Sequence, residues 1–152
     1  MDIIAHLKKQ KVKFQQMTHP EKFTTQEVAA VQHVRGARMV KAVLVKADGG
    51  FVLAVLDANH KVDFPKLAKA VGAKRAALAG EDDLKRLFPD VEVGAEPPFG
   101  SLYNVPTVVD EHLSTQDEIV FQSGTHKDTV RMKWSDYEKL EKPKIAEFGV
   151  HI

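Results

Sequence analysis

Lys41 is the first side chain whose type and placement suggest chemistry. It stands in Met39-Val40-Lys41-Ala42-Val43-Leu44-Val45-Lys46, where the strand period puts it on one face with Val43 and Val45 and leaves Ala42 and Leu44 on the other. Apolar residues on both faces imply a strand covered on both sides. An ammonium there either snorkels at the strand end or points into a polar pocket. In a pocket it is a compact cationic donor for a carbonyl, phosphate or carboxylate. A second candidate is Gly94-Ala95-Glu96-Pro97-Pro98-Phe99-Gly100, where prolines stiffen the backbone and glycines let it turn or approach a ligand. With exposed amides, such a loop could serve a developing oxyanion; the same string also reads as a plain connection. Ser123-Gly124-Thr125-His126 has the composition of a turn, and His126 is either a solvent-facing turn residue or the histidine best placed for proton transfer or a polar contact. His6, His19, His33, His60, His112 and His151 show no mutual metal-ligand spacing. No HExxH, P-loop, GxGxxG or GxSxG string occurs, so zinc-protease, nucleoside-triphosphatase, dinucleotide and serine-triad readings lack support.

The elements that must hold these residues are legible in outline. Ile3, Ile4 and Leu7 have helical spacing, as do Val28, Val31 and Val34 after Thr24, and Thr24 to Glu27 has capping-box spacing. Further helices are expected over 65–71, 81–88 and 134–140; Asp63 and Pro65 suit the start of the first. Apolar runs predict strands over 12–17, 40–46, 51–56, 107–110, 119–122 and 129–132. Asp48-Gly49-Gly50 makes the second and third of these a hairpin. The order mixes hairpins with helices and lacks regular strand-helix alternation, so the expected fold is α+β, with a mixed, mainly antiparallel sheet and flanking helices. No repeat or linker divides residues 1–152, which read as one domain.

Composition narrows the class without naming an activity. The 152 residues are 43% hydrophobic and 28% charged, with no cysteine. That excludes disulfides, thiolate metal sites and a cysteine nucleophile. The amino terminus lacks the apolar run of a signal peptide, and the longest apolar run, 51–56, is too short for a bilayer, so a cytoplasmic protein is expected. Net charge is +1, unlike a wholly basic nucleic-acid coat. Even so, residues 58–80 carry five basic side chains (Lys61, Lys66, Lys69, Lys74, Arg75) against one acidic, while 81–96 carry six acidic against two basic. These are either solvated helix faces or, in the basic half, a phosphate-binding patch.

Taken together, Lys41 in its apolar strand, the Gly94-xxx-Pro98 loop, Val105-Pro106-Thr107-Val108-Val109-Asp110 and Ser123-Gly124 resemble the YbaK-type family of aminoacyl-tRNA deacylases, which is similar to the editing domain inserted in bacterial prolyl-tRNA synthetases. The resemblance implies that family's single-domain fold and a trans-acting hydrolase that cleaves the ester joining a wrongly attached small amino acid to the terminal adenosine of a tRNA. It implies Lys41 as the essential lysine. Gly94 and Pro98, or Pro97 given the doubled proline, would form the substrate loop with Phe99 and Gly100. Asp110, Ser123 and Gly124 would line the pocket, and His126 falls where the family varies. Independently of the resemblance, the basic stretch from Lys61 to Arg75, with Lys61, Lys66 and Lys69, is expected to meet acceptor-stem phosphates. The implied partners are the acceptor end of aminoacyl-tRNA and, transiently, a tRNA synthetase; no cofactor, metal or membrane is implied, and a monomer is expected. An activated ester needs no side-chain nucleophile: a positioned water and oxyanion donors supply much of the acceleration, with a substrate hydroxyl as base. The competing readings are a non-enzymatic tRNA- or nucleic-acid-binding module on the same fold, and hydrolysis of another small ester or amide.

Overall fold

Two apolar faces on one strand demand two cores, and the fold is built around that demand. In the computed structural model, which describes residues 2–19 and 34–152, Val40–Ala47 forms strand β2 and Gly50–Asp57 strand β3. They pair antiparallel from Val40↔Asp57 to Ala47↔Gly50, joined at Asp48, which adopts φ 54°. Its carboxylate accepts the backbone N–H groups of Lys74 and Arg75 at 3.1 and 3.0 Å. On one face Val40, Leu44, Leu53 and Val55 pack with Phe99, Val109, Phe121 and Tyr137; on the other Val45, Val52 and Ala54 pack with Leu67, Val108 and Phe148.

Parallel additions extend the hairpin. Strand β6 (Thr107–Asp110) lies parallel to β3, and β9 (Lys144–Ala146) parallel to β6. On the other side β5 (Ala76–Leu78) pairs antiparallel with the far end of β2, giving the order β5-β2-β3-β6-β9. A three-stranded antiparallel sheet, β1 (Phe14–Thr18), β8 (Asp128–Lys133) and β7 (Glu118–Gln122), has the order β1-β8-β7. A bridge from Met39 to Val120 joins it to the entry of β2. Strands β4 (His60–Val62) and β10 (Gly149–His151) form a small antiparallel pair.

Four α-helices stand among the described residues: α1 (Ile3–Lys9), α2 (Phe64–Val71), α3 (Glu81–Leu87) and α4 (Trp134–Glu141). The Asp63 carboxylate caps α2 by accepting from Lys66 N–H at 3.0 Å, with Pro65 in the first turn where no donor is lost. Gly72 ends it at φ 72°. Helices α1 and α4 cover the first core through Ile3, Leu7, Trp134 and Tyr137.

The expected α+β architecture with a mixed sheet is the one observed. The six expected strands, the helix expected from Ile3, Ile4 and Leu7, and the helices at 65–71, 81–88 and 134–140 all occur, with ends shifted by a residue or two where ranges were expected. The helix expected from Thr24 lies outside the described residues. Strands β4, β5, β9 and β10 were not anticipated; each has three residues, too few for a period to declare itself. No helix among the described residues is long and apolar enough to cross a membrane.

Candidate active site

The loop at residues 94–100 is stiff, as its prolines require, but it is not an exposed turn. Residues 95–100 are all buried. Phe99 anchors it from the core, 0% exposed and edge-on to Tyr137 with ring centroids 5.0 Å apart. The Tyr137 hydroxyl donates to the Pro98 carbonyl at 2.6 Å. The expectation of freely exposed amides is therefore corrected, because most are committed within the protein. Ala95 N–H donates to Glu92 O at 2.9 Å and Phe99 N–H to Pro97 O at 2.8 Å. Gly100 N–H donates to the Thr107 hydroxyl at 3.0 Å, and the prolines have none. Two amides remain, those of Gly94 and Glu96, and both pull the Glu96 pKa down.

Glu96 is the least expected member of the site. It is 6% exposed, and its Oε2 has no hydrogen-bond partner among the described residues. Burial raises its pKa to about 7, against the two amides and the His126 ring, which pull it down. A free carboxylate so placed would be costly, so the proton is retained up to about pH 7. The sequence shows Glu96 as one of a run of acids; nothing local marks it as the buried one.

The turn at 123–126 closes on the same loop. Gly124, at φ 105°, donates N–H to Ala95 O at 3.0 Å and accepts Glu92 N–H at 2.8 Å. His126 is no solvent-facing turn residue: it is 7% exposed, its N–H reaches Glu92 Oε1 at 2.8 Å, and its Nε2 sits 2.8 Å from Val93 O. Gly94 adopts φ 89°, and a Cβ there would stand 3.4 Å from the His126 ring. Beside this junction Pro97, Ser123 and Gly124 share a cavity of about 180 Å³ with Asp90, Val91 and Tyr103.

Lys41 and Asp110 belong elsewhere on the sheet. Lys41 lies opposite Leu56, on the face of Val43 and Val45, whereas the loop packs through Phe99 on the face of Val40 and Leu44. Lys41 is half-buried, and desolvation lowers its pKa while the charge of Asp57 opposes the shift. Asp110 is 0% exposed. Its Oδ1 accepts the N–H groups of Phe148 at 3.0 Å and Gly149 at 2.7 Å, and its Oδ2 meets the His112 ring at 2.6 Å. Burial would raise this carboxyl, yet those donors hold it below the usual carboxylate range. Structurally it latches β10. The structure thus brings Gly94, Pro97, Pro98, Ser123, Gly124 and His126 together, with Phe99 and Gly100 as anchors, and carries Lys41 and Asp110 on the sheet's opposite face.

The basic residues lie apart from the loop. Lys61 is exposed on β4, Lys69 exposed on α2, and Lys66 pairs with Glu147 at 3.3 Å. One support was missed in the sequence: Glu141 accepts from Ser101 N–H and Oγ at 3.1 and 2.6 Å and from the Thr107 hydroxyl at 2.6 Å. Its helical spacing from Trp134 and Tyr137 was the available signal.

Residues 19–140 match the aminoacyl-tRNA editing domain family. The chain belongs to that family. Among relatives of this editing domain, the multifunctional Ser/Thr-tRNA deacylase ProXp-y of Escherichia coli K12 is 31% identical over 154 residues, covering 96% of this chain and 90% of that protein. A proline–tRNA ligase of Xanthomonas oryzae pv. oryzae is 35% identical over 85 residues, 56% of this chain and 14% of the ligase. The editing domain also superposes on the crystal structure of a proposed trans-editing enzyme for prolyl tRNA synthetase with a TM-score of 0.84, covering 97% of this chain and 94% of that one at 20% identity; that likeness carries the fold.

Proposed function

We propose that this editing domain is a trans-acting hydrolase that deacylates mischarged tRNA bearing a small amino acid. The observation that carries the reading is the junction of the 94–98 loop with Ser123-Gly124 and His126, the same strings on which the family resemblance rests. The Gly94 and Glu96 amides, which pull the Glu96 pKa down, are the loop's donors for an oxyanion. As the ester carbonyl becomes tetrahedral, its oxygen takes over from the Glu96 carboxyl as their acceptor. Lys41, on the other face of the sheet, holds a phosphate of the terminal nucleotides, fixing the ester in register while a water attacks. A neighbouring hydroxyl of the terminal ribose takes the water's proton. Selection for small side chains is supported by the size of the cavity beside Pro97, Ser123 and Gly124, about 180 Å³. Each excess methylene costs about 1 to 3 kcal/mol of discrimination.

The test is a panel of mischarged tRNAs incubated with the purified chain, scoring amino acid released. The named activity of the E. coli relative makes seryl- and threonyl-tRNA the first lanes, with alanyl- and cysteinyl-tRNA beside them. Release in at least one lane is expected, and Lys41→Ala abolishes it while the circular dichroism spectrum is unchanged. Undiminished turnover in that variant would refute the role of Lys41. Binding of tRNA without release in any lane would leave a binding module in place of an enzyme.

A further inference from the structure

At the end of the sheet where β3 and β6 stop, there is a second constellation that the loop site does not use. Asp57, 2% exposed, holds the Nδ1 of His60 at 2.7 Å. Asp110 holds the Nδ1 of His112 at 2.6 Å. The parallel register that sets Val55 beside Val109 brings these two carboxylates to neighbouring strand ends. Their imidazoles consequently stack, with ring centroids 4.1 Å apart and planes inclined by 23°, and His151 of β10 meets His60 edge-on at 5.5 Å.

With each Nδ1 turned inward against a carboxylate, Nε2 is the ring atom left for an external ligand. His112 keeps 44% of its side chain exposed and His60 12%. Two rings stacked at this distance can each offer Nε2 to one oxygen of a single anion. No group of His, Asp or Glu among the described residues has metal-holding geometry. Two such N–H donors match two oxygens of one tetrahedral anion. A ring whose Nδ1 donates to a carboxylate offers a second N–H at Nε2 only when it is protonated. For His112 the hydrogen bond to Asp110 raises the pKa, with smaller contributions from Asp57 and Glu111. Lys41, whose charged neighbour is Asp57, adds a cation at the same end of the sheet.

We propose that the stacked pair His60 and His112 is a phosphate-binding site, gripping a phosphate mono- or diester between its two Nε2–H groups. This rests on the deacylase reading only for the source of the phosphate, which that reading makes the acceptor end of tRNA. A free phosphate or nucleotide is the other source.

The probes are inorganic phosphate and a CCA-ended RNA hairpin, titrated into the isotope-labelled full chain while the imidazole nitrogens are followed by NMR. At about pH 6 phosphate is expected to move His60 and His112 together and saturably, with roughly tenfold or greater weakening by about pH 8 as the His112 ring loses its proton. His112→Gln should abolish the response of His60 with the backbone spectrum retained; should that variant disturb the fold, His60→Gln with His112 as reporter serves the same purpose. Movement by the hairpin as well assigns the site to nucleic acid; movement by phosphate alone assigns it to a free anion. Unmoved rings at the lower pH, equal affinity at both, or full binding by the variants overturns the proposal. A chain that binds phosphate here yet releases no amino acid overturns the deacylase reading alone, and a deacylase whose stack ignores phosphate does the reverse.

Discussion

Glu96 makes the clearest prediction from a single side chain. Its carboxyl keeps a proton up to about pH 7 in the native state, whereas the unfolded chain releases it near 4.5. Between those values the native state binds more protons, so this group stabilises the fold most at the acidic end and loses that contribution as pH rises through 7. The size is on the order of 3 kcal/mol across the interval. Urea midpoints measured at either end should show the decline in the wild type and a flatter line in Glu96→Gln; parallel lines would mean the carboxyl is ionised in place. Tyr137 is a second single-atom case, because its hydroxyl is the donor that holds Pro98 O in a buried site. Tyr137→Phe should cost about 1 to 3 kcal/mol in urea unfolding through the stranded carbonyl, and should slow amino acid release by loosening the loop. Unchanged stability would show that water replaces the hydroxyl.

Helix α4 acts as a clamp whose jaws are Tyr137 and Glu141, closing on the chain between Pro98 and Thr107. Gly100 sits at the tightest point: a Cβ there would lie 2.3 Å from Val105 O and 2.6 Å from the Thr107 hydroxyl. The first of those is backbone and cannot swing aside. Gly100→Ala should therefore destabilise by about 1 to 3 kcal/mol or more and depress deacylation beyond the loss of folded protein, measured as activity per mole of native chain. Much at this scale was legible beforehand. The faces of Val40–Ala47, the hairpin at Asp48-Gly49 and the helix at Trp134 are local patterns, written within a few turns or residues. The burial of Glu96 and the grip of Glu141 on Ser101 and Thr107, across 40 and 34 residues, are not local, so no window of sequence contains them. The placement of Lys41 was half legible: its period gave the face, but only the order of strands shows that the loop is anchored on the other one.

For the molecule as a whole, charge is the property that decides how it meets a polyanion. Lys66 and its partner Glu147 are 46% and 59% exposed, and an ion pair so wetted holds its members weakly, leaving the lysine available to phosphate. Lys66→Glu combined with Lys69→Glu should weaken tRNA binding and lower the slope of log affinity against log salt by roughly one for each phosphate no longer neutralised. An unaltered slope would remove α2 from the interface. Topology supplies a last consequence. Among the described residues strand β4 pairs with β10, so His60 pairs with His151 and Asp110 waits for Gly149. Pairings so distant along the chain are late and slow to close. On a ribosome, β4 emerges long before the strand that completes it, and the nascent protein must carry that open edge until β10 has followed.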